Sequence, residues 1–193
     1  MLRIPVAEYL RAIVGAPYLA TRPYGRQVRE RVITVIQGTS NESIVNLDFE
    51  GVQFLDYSGS DELVVMLMNR IVNNELGLRY LVLSNLMEWH RENILVALER
   101  TKKHSLLEIR SEGLFLLGKV KPMLVNVLRA VYNQHVETAR ALADIAGHEI
   151  NLASTKLSQL YQQRLIIRVE SVLPEGGRQY MYRPVLPLTF HLE

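Results

Sequence analysis

The feature that most constrains this chain is a change of rhythm close to Gly118. Before it, short apolar, β-rich runs alternate with longer stretches of helical period: "IVNLDF", "SDELVVMLMNRIVNNELG", "LRYLVLSNL", "MEWHRENILVALERTKK", then "SLLEIR" and "LFLLGK". Strand–helix–strand–helix order requires crossovers, so the expected product is a sheet with parallel neighbours and helical cover, an α/β layer. After "GKVKP", a segment without apolar period that reads as a hinge, the order becomes three helices and two strands: "PMLVNVLRAVYNQH", "VETARALADIAG", "NLASTKLSQLYQQRL", then "IIRVESVL" and "RQYMYRPV" joined by "PEGG". Two domains are expected, 1–118 and 119–193; the 193 residues, 48% of them hydrophobic, can supply a core for each.

Local signals refine the first part. Residues 1–15 predict a helix with Leu2, Val6, Leu10 and Ile13 along one face. Pro23 and Gly25 predict a break, after which Val28, Val32 and Val35/Ile36 recur at helical spacing. "QGTSNES" is a loop, and "EGVQFLD" follows "IVNLDF" as a second short strand. The next helix takes Ser60 as N-cap, Asp61 and Glu62 in its first turn and Gly77 as its stop.

Charge separates the two parts weakly. Residues 1–118 carry 13 Lys and Arg against 14 Asp and Glu; residues 119–193 carry 9 against 6, so the basic excess lies at the C-terminal end. Such an excess favours a polyanionic partner there. Within "NLASTKLSQLYQQRLI", Ala153, Leu157, Leu160 and Tyr161 share one face, and Leu165 and Ile166 complete the core. The opposite face presents Ser154, Thr155, Ser158, Gln159 and Gln162, whose hydroxyls and amides can hydrogen-bond to phosphates and base edges. Lys156 and Arg164 flank this face as phosphate candidates, and the hairpin tip "PEGGR" carries Arg178.

Over about Val120 to Val185 the order and the "ARALADIAG…NLASTKLSQLYQQRLI" run resemble a winged helix-turn-helix. The resemblance implies a recognition helix in the major groove of double-stranded DNA, a wing carrying Arg178 against the backbone or minor groove, and a homodimer for a specific site. Winged helices also act as protein-interaction modules, and an amide-rich solvated face fits that use as well.

Asp56, Tyr57 and Ser58 stand where the second short strand runs into a helix. The stretch "VNLDFEGVQFLDYSGSDELVVML" resembles the STAS fold of anti-sigma-factor antagonists, with the "D-x-S-G" turn as its best motif; "TRPYGRQVRERV" resembles the opening of related STAS-like domains. The fold class expected is therefore α/β, a STAS-like mixed sheet with helices followed by a smaller α+β winged-helix domain. The resemblance implies docking of a regulatory protein, and for antagonists a serine phosphorylated at the helix start, where free N–H groups favour phosphate. This chain departs from that pattern: Tyr57 follows the aspartate directly, and Ser58 stands one place later, where it reads as a helix cap. Two readings of the turn stand side by side: Asp56 and Ser58 capping while Tyr57 packs, or a docking surface anchored by Tyr57. Arg22, Arg26 and Arg29 likewise either gather an anionic ligand or a partner's carboxylates, or form a solvated helix face.

Other chemistries lack their residues. Without cysteine there is no disulfide or thiolate site, and the five histidines stand at no helical ligand spacing, so no metal or other cofactor is expected. No phosphate loop, "GxSxG" or "HExxH" occurs, Glu88 and His90 point apart on their helix with His90 as a first-turn surface residue, and an enzyme is not expected. No apolar run reaches the roughly 20 residues of a membrane span, and the first fifteen residues read as an amphipathic helix instead of a leader, so the expected location is cytoplasmic. The function expected is a DNA-binding transcriptional regulator with a sensing STAS-like domain; the alternative is a protein–protein adaptor whose winged helix makes protein contacts.

Overall fold

The computed structural model describes residues 1–40, 43–101, 104–147, 149–172 and 176–192. Parts of four expected features lie outside the described residues: Asn41 and Glu42 of the loop, Lys102 and Lys103 ending a helix, His148, and Leu173, Pro174 and Glu175 at the hairpin tip. The chain is α/β, built on a mixed, mostly parallel sheet. It divides into two compact units, one of Met1–Ser111 with Phe115–Lys119, the other of Glu112–Leu114 with Val120–Glu193.

The first unit runs β1 (Leu2–Pro5), α1 (Val6–Val14), β2 (Tyr18–Leu19), α2 (Arg22–Gln37), β3 (Ser43–Asp48), β4 (Phe54–Leu55) and α3 (Tyr57–Ser60). A π-helical stretch (Asp61–Val65) leads into α4 (Met66–Val72), followed by β5 (Arg79–Ser84), α5 (Glu88–Thr101), β6 (Leu106–Arg110) and β7 (Gly113–Leu117), whose first two residues fall in the second unit. Its sheet has the order β1-β3-β5-β6-β7. The first three pairings are parallel, with Val45 opposite Leu81 and Leu47 opposite Leu83. Only two residues join β6 to β7, too few for a crossover, so that pair is a hairpin. Val28, Val32, Ile33 and Ile36 of α2 are buried in the same core as Val45, Leu47, Leu63, Leu67 and Ile94.

Three local expectations are corrected. Residues 1–15 are a strand and then a helix: Pro5 has no N–H and holds the extended conformation that ends β1, and Leu2 to Pro5 find ladder partners on β3. Pro23 and Gly25 do not interrupt a helix. Thr21 caps α2, Pro23 sits in the first turn where no N–H is needed, and Gly25 is buried within the helix. The helix after the second short strand starts at Tyr57, capped by Asp56, because Asp56 is the residue with extended backbone and its Oδ1 accepts the Gly59 N–H at 2.7 Å. Its far end comes early, at Val72, where Asn74 takes φ +60°, well before Gly77.

The second unit contains α6 (Pro122–Asn133), α7 (Ala139–Ala146), α8 (Ile150–Gln162), β8 (Ile166–Val172), β9 (Arg178–Pro184) and β10 (Phe190–His191). β8 and β9 pair antiparallel, from Ile166 opposite Pro184 to Val172 opposite Arg178. Thr138 caps α7, and Gly147 at φ +63° ends it, a conformation that costs a non-glycine residue about 1–2 kcal/mol. The core gathers Leu124, Leu128, Val131, Leu142, Leu157, Leu160 and Tyr182. Tyr132 ties it together: its hydroxyl donates to Leu165 O and accepts from Val185 N–H, both at 3.0 Å. Burial pushes that phenol well above its ordinary pKa.

Candidate functional site

In the first unit the turn Asp56–Ser60 is held from several sides. Asp56 N–H donates to Leu19 O, and Ser60 returns both its N–H and its hydroxyl to Asp56 O, at 2.9 and 2.8 Å. Gly59 is required by contact: a Cβ there would lie 2.6 Å from Leu19 O and 2.7 Å from Leu19 Cγ. The "D-x-S-G" pattern is thus the signature of a helix start pressed against β2. Ser58 is half-buried and its hydroxyl makes no hydrogen bond among the described residues, so the capping expected of it belongs to Asp56 alone. Tyr57 is half-buried against the core, with the Arg100 guanidinium 5.0 Å from its ring centroid.

The arginines do not form one cationic patch. Arg29 is buried, and its Nη1 donates to Glu62 Oε2 at 2.6 Å and to the Glu62 carbonyl at 3.1 Å. Arg22 pairs with Asp61 at 2.7 Å and with Glu62 at 3.3 Å. Arg26 is exposed and makes no ion pair among the described residues. Arg29 thus donates to a backbone carbonyl within the π-helical stretch. A first-unit anion site built on Arg22 and Arg29 is corrected by this geometry, because the two cations are already matched by Asp61 and Glu62.

At the C-terminal end of β3, Asp48 is 1% exposed. Burial pushes its carboxyl up, but Asn85 Nδ2 at 2.7 Å, the Glu50 N–H at 2.9 Å and the Arg3 guanidinium outweigh that and hold it below the ordinary range. His90 is also corrected: it is fully buried, its ring beside Phe49 and Trp89. Its Nδ1 accepts the Met87 N–H at 3.3 Å, so it serves the start of α5 from inside. Burial lowers its pKa. Among the described residues no group of three His, Asp or Glu side chains could hold a metal ion.

In the second unit α8 buries Ala153, Leu157 and Leu160. Thr155 and Gln162 are exposed, while Ser154, Ser158 and Gln159 are half-buried. Thr155 donates its hydroxyl to Asn151 O, and Ser158 Oγ lies 3.4 Å from the Tyr182 hydroxyl. Lys156 and Arg164 are corrected as phosphate candidates: they are 8% and 4% exposed. Arg164 takes φ +61° and folds back, Nη1 donating to Tyr161 O. Arg178 is exposed and reaches Glu170 across the hairpin at 3.2 Å. Arg168 lies between the rings of Tyr161 and Tyr180, 4.1 and 4.2 Å from their centroids.

Sequence reasoning missed three α8 positions, Ile150, Asn151 and Leu152, all exposed at the start of the helix. Counting back four residues from Thr155 reaches Asn151 and so could have found it. Ile150 and Leu152 carry no such signal, since apolar residues read as core. The chain matches no protein-family model, no curated protein and no solved structure.

Proposed function

We propose that this chain is a DNA-binding transcriptional regulator, cytoplasmic and acting as a homodimer, in which a STAS-like first unit receives a regulatory protein and a winged-helix second unit binds duplex DNA. The observation that carries the reading is the division of α8. Ala153, Leu157 and Leu160 are inside, while Asn151, Thr155 and Gln162 offer amides and a hydroxyl outside, with the β8–β9 hairpin following directly. A helix of that kind supplies the donors and acceptors that major-groove edges require, and the hairpin supplies Arg178 for a phosphate. In the first unit the docking surface is Tyr57 with the exposed Tyr24, Arg26 and Phe54; Asp56 shapes the turn and does not itself meet the partner.

The adaptor reading has its own support. Ile145, Ile150 and Leu152 are exposed apolar residues at the end of α7 and the start of α8, a composition that suits a protein surface better than phosphates. Fluorescence anisotropy of the purified chain on random-sequence and selected duplexes, over a salt series, tests the choice. The regulator reading expects salt-dependent binding, with sequence preference reduced by Asn151→Ala together with Thr155→Ala. Absence of any binding at low salt, with a folded protein co-purifying through Ile150 and Leu152, replaces it with the adaptor reading.

A further inference from the structure

The register of the β8–β9 hairpin puts Arg168, Glu170, Tyr180 and Arg178 on one face, with Glu170 directly opposite Tyr180. Arg168 stands diagonal to Tyr180 there, its guanidinium carbon 4.2 Å from the Tyr180 ring centroid and 4.1 Å from that of Tyr161 on α8. Among the described residues Arg168 makes no hydrogen bond and no ion pair, and its nitrogens reach solvent. Glu170, on the same face, is engaged by Arg178 at 3.2 Å. Tyr180 is 47% exposed.

An arginine on a surface ordinarily moves through many rotamers, and fixing it for an anion costs that freedom. Two rings at stacking distance already hold Arg168 by cation–π attraction. Their contact takes up the faces of the guanidinium and leaves its edge, where the N–H donors lie, to solvent. A fixed fork of free donors is the complement of a phosphate, which it meets through two parallel bonds. The half-exposed ring of Tyr180 beside it is the complement of another flat ring. We propose that this face of the hairpin binds an unpaired nucleotide of a single strand, its base on Tyr180 and its phosphate on Arg168. A duplex does not supply both, because its base faces are stacked on one another and only edges and backbone are open. A single strand offers ring and phosphate together. The inference deepens the nucleic-acid reading of the second unit and rests on it: α8 meets duplex edges, and the hairpin face takes a strand where the duplex is open.

The test compares three labelled probes by fluorescence anisotropy of the full chain: an oligothymidylate, an abasic strand of the same length and a blunt duplex. The oligothymidylate should bind saturably and about tenfold or more tighter than the abasic strand, the factor that base stacking on an aromatic side chain supplies. Tyr180→Leu should remove that preference, and Tyr180→Phe should keep it. Arg168→Gln should lower the slope of log K against log salt on oligothymidylate by about 0.7, the share of one phosphate in a single strand, and leave the duplex slope unchanged. Equal affinity for oligothymidylate and abasic strand, or a folded Tyr180→Leu or Arg168→Gln chain that binds oligothymidylate as the parent does, overturns the site. Duplex binding that persists alongside either result leaves the regulator reading standing, whereas failure to bind any of the three probes removes both. If a variant does not fold, the ring resonances of Tyr180 in the unaltered chain decide: an upfield shift with oligothymidylate and not with the abasic strand sustains the site, and no such difference overturns it.

Discussion

Arg29 on α2 holds Glu62 at 2.6 Å with both side chains buried, and the same guanidinium caps the Glu62 carbonyl at 3.1 Å inside the π-helical stretch. Removing one member of a buried pair strands the other, at a cost of about 3–5 kcal/mol, although replacing both by apolar groups is often neutral. Arg29→Met alone is expected to cost up to that much in urea unfolding, since Glu62 then keeps only Arg22 at 3.3 Å, and Arg29→Met with Glu62→Leu is expected to recover most of it. Equal losses in the single and double variants would mean that the bond to the backbone carbonyl, not the ion pair, sets the cost.

Gly59 offers a sharper local test. An alanine methyl there would meet the Leu19 carbonyl oxygen at 2.6 Å, and a backbone atom cannot rotate away as a side chain can. Gly59→Ala should therefore destabilise the first unit by about 1–3 kcal/mol or more, the usual penalty of overpacking. Gly25→Ala meets Glu62 Cβ at 2.7 Å and should behave similarly. By contrast Ser58→Ala, half-buried and without a hydroxyl partner among the described residues, should leave the unfolding free energy within about 0.5 kcal/mol of the parent.

The places where sequence reading succeeded and failed share a physical logic. Long periodic segments such as α5 and α8 were legible because 3.6-residue spacing survives any tertiary context. β1 was not, since four residues before a helix become a strand only when a ladder partner, here β3, is present. Asp56 and Ser60 are both good caps by composition, and only the extended backbone at Asp56 decides between them. Lys156 and Arg164 show the limit for charges: helical spacing placed them at the margin of the apolar face, and a margin does not say whether a long side chain turns outward or in. His90 failed for the same reason.

His90 predicts an acid-side instability. Its folded pKa lies below the ordinary 6.5 because burial disfavours the imidazolium, so the unfolded chain takes up the proton first. The stability it contributes is complete above pH 6.5 and is lost as pH falls from there through the folded pKa. Asp48, also depressed, follows only below its ordinary 3.8. The Tm should thus decline as pH falls below 6.5, and His90→Leu should flatten the first part of that decline while leaving the fall below pH 3.8. An unchanged slope in His90→Leu would assign the decline elsewhere.

In the second unit the Tyr132 hydroxyl serves two buried backbone groups, Leu165 O and Val185 N–H. Tyr132→Phe keeps the ring against Phe190 but leaves both groups unmet, at about 1–3 kcal/mol for each unsatisfied group. Urea unfolding monitored by methyl resonances of Leu157 and Leu160 should show that loss in the second unit, with those of Leu63 and Leu67 in the first unit unchanged.

The salt dependence of DNA binding should be shallow, and the reason lies in which cations face outward. With Lys156 and Arg164 buried, the exposed cations of α8 and its hairpin are Arg178 and Arg183. Two phosphate contacts give a slope of log K against log salt of about −2. Arg178→Ala should reduce that slope by about one while scarcely altering sequence preference, because a phosphate contact positions without specifying. Lys156→Met should leave the slope as it is. A steep slope in the parent chain that Lys156→Met lowers would place Lys156 among the residues that meet DNA.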